Sequence, residues 1–320
     1  MAKSLQDYAE WLDERKLMWP AAPAVVPAKA TPYLKPLPDV RGIVWSVYGT
    51  LLRISDGRLL ILHPEPMRMQ IALEKTIEEF NMWNSMSRKP GAPWEYMLQQ
   101  YTRIVEDRQL AGSGRKGESP EVNAAETWKA LIERLGKKEY SYDEDQYGDL
   151  DDFAEKVAYF FQSCLQGVAA NDGALETLQS VMNAGYTQGL VADAQPFTLV
   201  QMLRALGQQQ DRMPFLGDLF DPNCLVLSVR EGCRQPSVAL FEKCVSQFDR
   251  LGMAPNEILY VGSRLKDELA PAKKLGLRTA LFAGDKNSLQ ATSADLKLPE
   301  LRPDRILTEL AQVRQILGVG

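Results

Sequence analysis

One histidine, His63, stands in 320 residues. Mechanisms built on paired imidazoles are therefore excluded, most His-ligated metal sites with them, and His63 is the only imidazole that could act as a base. The cysteines, Cys164, Cys224, Cys233 and Cys244, are separated by long, irregular gaps without a C-x-x-C pair. Zinc knuckles and dithiol redox chemistry are not indicated, and reduced, structural thiols are expected. The chemistry left to this chain belongs to carboxylates, hydroxyls and guanidinium groups. Such residues gather in four short clusters: Ser46-Val47-Tyr48-Gly49-Thr50-Leu51, Ala192-Asp193, Gly232-Cys233-Arg234-Gln235-Pro236 and Gly262-Ser263-Arg264-Leu265-Lys266-Asp267.

Each cluster adjoins a short apolar run or the helix that follows one. Runs at 43–47, 189–192, 225–229, 258–262 and 279–282 alternate with helical patterns at 173–184, 196–206, 236–251 and 267–275. Buried strands of four or five residues alternating with helices predict an α/β fold, a doubly wound, Rossmann-like parallel sheet with right-handed crossovers. Ligands of such sheets sit at the carboxyl ends of the strands, where the four clusters fall. The stretch LLRISDGRLLIL at 51–62 predicts two short strands around the turn Ser55-Asp56-Gly57-Arg58. Residues 66–165 carry helical periodicity broken at 88–93 and 111–121, which predicts an inserted cap of four or more helices.

The amino-terminal segment is of another kind. Leu5, Tyr8, Ala9, Leu12 and Leu17 predict an amphipathic helix within 4–18. Pro20, Pro23, Pro27, Pro32, Pro36 and Pro38 then impose an extended, semi-rigid arm. Such an arm either straps its own domain or docks on a partner or a second copy, and both readings stand. The expected organisation is 1–40 as helix and arm, 41–64 with 170–320 as the α/β core, and 65–169 as the cap.

Apolar residues make up 45% and charged residues 25% of the chain, and 37 basic against 42 acidic side chains leave a net charge of −5. That balance fits a globular protein and offers no electrostatic footprint for nucleic acid or an anionic membrane. The first twenty residues lack the apolar run of a secretory signal and no stretch of eighteen apolar residues occurs, so a cytoplasmic protein is expected.

The four clusters, in order and at this spacing, resemble the motifs of haloacid dehalogenase-like (HAD) superfamily hydrolases that carry a helical cap after the first strand. The resemblance runs from about residue 41 to the end. Family members carry D-x-D-G-T-L after strand one, a Ser or Thr after strand two, a Lys before a helix, and G-D-x-x-x-D after strand four. Here those places read S-V-Y-G-T-L, A-D, R-Q-P and G-S-R-L-K-D. G-A-L-E-T-L with A-G-Y, A-K-K-L-G-L-R-T-A and R-P-D-R-I-L-T-E-L also resemble the family's framework, and 51–62 resembles its flap.

The resemblance implies a nucleophilic aspartate where Ser46 stands, an acid/base aspartate at Tyr48, a phosphate-binding hydroxyl at Ala192, a lysine at Gln235 and a metal-binding aspartate at Ser263. Serine is a poor nucleophile without an adjacent base, and tyrosine, with an ordinary pKa of about 10, is a weak base at neutral pH. Magnesium, which requires hard oxygen ligands, is expected to be lost with those carboxylates, leaving no cofactor. Thr50, Asp193, Arg234, Arg264 and Asp267 remain as candidate ligand-binding residues.

Tyr48 is expected to plug the vacated site. Arg234, Arg264 and Lys266 either form a pocket for a small anion or are solvated surface charges; Asp193 is either a residual acid or the cap of the following helix. His63 reads as a surface or packing residue rather than a base. The implied function is a catalytically inactive binding or scaffolding module, its cleft either plugged or holding an anion, with a possible partner or self-association through 1–40. The alternative is a divergent, metal-independent hydrolase with Ser46 as nucleophile and Tyr48, Asp193 or His63 recruited beside it.

Overall fold

The computed structural model describes residues 2–86, 91–112, 119–210 and 212–319. Parts of the expected helix breaks at 88–93 and 111–121 lie outside those residues. In chain order the elements are α1 (Leu5–Glu14), β1 (Gly42–Trp45), β2 (Leu52–Ile54), α2 (Pro66–Glu79), α3 (Pro93–Gly112), α4 (Ala124–Gly136), α5 (Glu144–Tyr147), α6 (Leu150–Leu165) and β3 (Val168–Ala170). There follow α7 (Ala174–Asn183), β4 (Thr187–Ala192), α8 (Thr198–Gly207), β5 (Leu225–Leu227), α9 (Ser228–Glu231), α10 (Val238–Asp249), β6 (Ile258–Gly262), α11 (Ala270–Lys274), β7 (Arg278–Phe282), β8 (Arg305–Leu307) and α12 (Val313–Leu317).

A six-stranded parallel sheet has the order β5-β4-β1-β6-β7-β8. The fold is thus the doubly wound α/β arrangement expected. Alternation along β1 explains the two layers: Ile43 and Trp45 enter one hydrophobic cluster and Val44 the other. Because β1 pairs with β4 on one side and β6 on the other, the chain leaves it at the switch point of the sheet, between the ends of its neighbours. A separate cluster fills the helical insert, where Trp128, Tyr101 and Phe161 pack together with centroids 5.2–5.5 Å apart.

The expected hairpin at 51–62 does not form. β2 pairs antiparallel with β3, supplied by the chain returning from the cap, and Ser55–Gly57 is a 3-10 turn. The reason is local: the Gln166 amide donates to Ser55 O at 2.6 Å and Arg58 O at 3.0 Å and accepts from Leu60 N at 2.9 Å. These bonds take backbone groups that a second hairpin strand would have used. The flap turn is thereby tied to the cap hinge.

The first helix stops at Glu14, short of Leu17, and starts with a Ser4–Asp7 capping box. Its buried Tyr8, Ala9 and Leu12 join the cap cluster, while Asp13 pairs bidentately with Arg204 of α8. The proline arm lies on its own chain as a strap. Val26 is bonded to the 285–286 loop, Tyr33 extends the free edge of β8 by bonding Ile306, and Arg305 holds the carbonyls of Lys35 and Pro36. Capping the edge strand in this way removes a site of unwanted pairing.

Candidate functional site

The tight turn after β1 brings the first cluster against the fourth. Gly49 has φ +90°, and a Cβ there would stand 2.6 Å from Ser263 Oγ, so the turn requires glycine and approaches the end of β6 closely. Ser46 follows the last residue of β1 and is buried, and its Oγ donates to Glu268 Oε1 at 2.5 Å. Glu268 Oε2 in turn accepts the amides of Ser263 and Arg264, each at 2.9 Å.

Arg264 occupies the centre of this arrangement and is 5% exposed. Its Nε and Nη2 donate to Glu268 Oε1 at 3.1 and 3.0 Å, Nη1 donates to Asp193 Oδ2 at 3.1 Å, and Nη2 also reaches Gln235 Oε1. Asp193 accepts Gln235 N at 2.8 Å and Arg234 Nη2 at 3.4 Å. Burial alone would raise the Asp193 carboxyl, but Arg264 and Arg234 outweigh it and hold the group below the usual carboxylate range. Burial opposes the charge on Arg264 as well, and Glu268 and Asp193 more than restore it.

Several expectations are corrected by this geometry. Arg264 is a buried ion-pair member, not a solvated surface charge; Arg234 is half-buried on Asp193, and only Lys266 is exposed, paired with Asp295 at 2.8 Å. Asp193 does not cap α8, which starts at Thr198 with Phe197 as its N-cap residue and no side-chain cap. Asp267 is half-buried, and no hydrogen bond or ion pair joins it to the cluster. The acid that faces Ser46 is its neighbour Glu268, because Leu265–Leu269 forms a π turn, whose wider winding shifts the facing position. Thr50 and Ser263 are fully buried, and their hydroxyls lack hydrogen-bond partners. Ala192 ends β4 inside the apolar cluster.

Tyr48 fills space beneath the cap. Its hydroxyl donates to Gln201 Oε1 at 2.6 Å and lies 3.1 Å from Thr198 Oγ1, both on α8, and burial pushes the phenol further from ionisation. His63 is buried in the flap: Glu65 N donates to Nδ1 at 3.0 Å, which leaves Nε2–H to donate to Asp56 Oδ2 at 3.0 Å. Neither Tyr48, Asp193 nor His63 hydrogen-bonds Ser46.

The cap touches the same loops through a segment that sequence reasoning missed. Glu121 Oε2 accepts Ser228 Oγ at 2.6 Å and Oε1 accepts Gln195 Nε2 at 3.1 Å. Nothing in local sequence marks Glu121; for Glu268 the signal was the acidic pair Asp267-Glu268, whose inward member depends on helical phase.

This donor set does not fit a magnesium ion. Both oxygens of Glu268 and both of Asp193 are engaged by protein donors, and the Arg264 guanidinium adds a positive charge between them. Among the described residues no three His, Cys, Asp or Glu side chains converge on a metal-binding position. The four cysteines are buried and unpaired. No described helix is long and apolar enough to cross a membrane.

No family model matches the chain. It is 28% identical over 145 residues to a glyceraldehyde 3-phosphate phosphatase of Pyrococcus furiosus. That match covers 45% of this chain and 53% of the relative, so it spans about half of that protein's length. A 2-haloacid dehalogenase from Pseudomonas syringae pv. tomato superposes with a TM-score of 0.54 and 18% identity, over 87% of this chain and 98% of the dehalogenase. Parallel sheet, position of the clusters, inserted helices and this likeness agree: the chain has a haloacid dehalogenase-like fold with a helical insert between β2 and β3.

Proposed function

We propose that this chain is a catalytically silent HAD-like protein that acts as a binding or scaffolding module. The observation that carries the reading is Arg264. A buried guanidinium, neutralised by Glu268 and Asp193, takes the role that a divalent cation has in magnesium-dependent members of the superfamily, so the fold stays closed without metal. The positions that would attack and protonate, Ser46 and Tyr48, are hydrogen-bonded to Glu268 and Gln201. The arginines that would hold a small anion already hold the chain's own carboxylates. Recognition in this reading belongs to the outer surface. Met18 of the strap, whose carbonyl is bonded by Lys75 of α2, lies beside a helix that exposes Met67 and Ile71 one turn apart.

The alternative, Ser46 as a metal-independent nucleophile, has one observation in its favour, the 2.5 Å contact with a carboxylate. Ser46 is one of five donors that share Glu268, however, so the contact belongs to a structural cluster rather than to a dedicated nucleophile–base pair. The test is phosphate release from a panel of phosphate esters, including glyceraldehyde 3-phosphate, with and without magnesium, for wild type and Ser46→Ala. Background release from both is expected. Release that is lost in Ser46→Ala would overturn the proposal and make Ser46 catalytic; magnesium-dependent release that survives in the variant would overturn it too.

A further inference from the structure

The cap meets the core at α6, where Tyr159 packs on Phe197 and bonds Arg204, and separately through an extended segment that reaches the strand ends. Arg234 N donates to Ser119 O at 2.8 Å and Glu121 N to Gly232 O at 3.3 Å, so cap residues 119–121 run along the loop that leads into α10. Between these backbone contacts the Glu121 side chain enters the core. It meets Ser228, the first residue of α9, and Gln195, in the loop after β4. Gln195 reinforces the junction from the other direction, accepting Ala124 N at 2.7 Å and donating to Val122 O at 2.9 Å. Ser228 Oγ accepts Ala194 N at 2.7 Å and has Ala194 O within 3.1 Å as a second acceptor. The polar contacts of this extended segment therefore converge on one carboxyl group.

The charged groups that face Glu121 are Arg234, from the loop before α10, and Asp193, from the loop after β4. Arg234 is shared: its guanidinium is bonded to Asp193, which Arg264 also holds. The attraction left for Glu121 is thus divided, whereas closure leaves its side chain half-buried. We propose that Glu121 is a proton-operated latch, which holds the cap down when protonated and loosens it when ionised. Protonated, the carboxyl can donate to Ser228 Oγ while that hydroxyl turns to Ala194 O, so every polar atom of the junction stays paired.

The direction of the pH dependence follows from the closed state. Burial, with Asp193 adding to it and Arg234 opposing, pushes the Glu121 carboxyl from 4.5 up to about 7. The closed cap therefore binds the proton more tightly than an opened one, in which Glu121 is solvated. Closure is strongest below about pH 4.5, weakens as pH rises, and levels off above about 7. This latch goes beyond the proposed function and does not depend on whether the site turns over substrate.

The test is hydrogen–deuterium exchange on the full chain at pH 5 and pH 8, corrected for intrinsic exchange, read at the amides of 119–124 and 228–235. Wild type is expected to lose at least about tenfold in protection at pH 8, since each unit of displaced pKa is worth a tenfold change. Glu121→Gln, the neutral isostere, is expected to keep its pH 5 protection at both values. Glu121→Ala, which cannot bridge, is expected to be weakly protected at both. Equal protection of wild type at the two pH values would overturn the latch. So would a Glu121→Gln profile that follows wild type, or full protection in Glu121→Ala.

Discussion

Ser46 Oγ donates to Glu268 Oε1 at 2.5 Å, across 222 residues of sequence, and that oxygen also receives two N–H groups of Arg264. A hydroxyl, a carboxylate and a guanidinium thus satisfy one another where β1 and β6 end side by side. The cluster ties the carboxyl ends of the two strands together.

Replacing Arg264 by Leu is expected to destabilise the fold by about 3–5 kcal/mol, because buried Glu268 would lose its cation and Asp193 one of its two. Lysine, a point charge without the planar fork, is expected to recover only part of that loss. Urea unfolding of the two variants checks this, and added magnesium should restore neither.

The metal site can be rebuilt only if the guanidinium is removed. Ser46→Asp, Tyr48→Asp and Ser263→Asp together supply hard ligands, yet Arg264 would pair with them and repel a dication. Titration calorimetry is expected to show no magnesium binding to the triple variant and binding once Arg264→Ser is added. Binding to the triple variant alone would show that Arg264 leaves room for a cation.

Acid should weaken the cluster through Asp193. Its carboxyl sits below the usual value of 3.8 in the folded chain, so its contribution is fully present above about 3.8 and disappears as pH falls through the lower, folded value. Asp193→Asn is therefore expected to be less stable than wild type at pH 7, with a gap that narrows towards pH 3. Denaturation midpoints across that range are the measurement.

Tyr48→Phe removes the donor that satisfies Gln201 and leaves a buried amide oxygen unpaired. The expected loss is about 1–2 kcal/mol in thermal unfolding, with ring packing retained. No gain in phosphate release is expected, because the ring still fills the space.

The docking of α1 should depend on apolar burial more than on its ion pairs. Leu12, fully buried in the cap, is expected to cost about 2–4 kcal/mol on truncation to alanine. Asp13→Asn, at a half-exposed pair with Arg204, is expected to cost less than about 1 kcal/mol. Both are readable from urea midpoints.

The sheet was legible in the sequence because burial on both faces forces continuous apolar runs, and 43–47, 189–192, 258–262 and 279–282 became β1, β4, β6 and β7. Where other groups competed for the backbone, the reading failed. The 58–62 strand gave way to Gln166, and β8 was too short to be seen, being completed by Tyr33 from the far end of the chain. At the site, residue types alone determined the absence of a nucleophilic aspartate at Ser46 and of the carboxylates at Tyr48 and Ser263. Tertiary structure decided which charges meet: that Glu268 rather than Asp267 turns inward, that Arg264 is buried between Glu268 and Asp193, and that Glu121 of the cap reaches Ser228. Helical phase, loop path and the balance of desolvation against pairing fix those contacts, and each depends on residues between 4 and 222 positions apart in the chain.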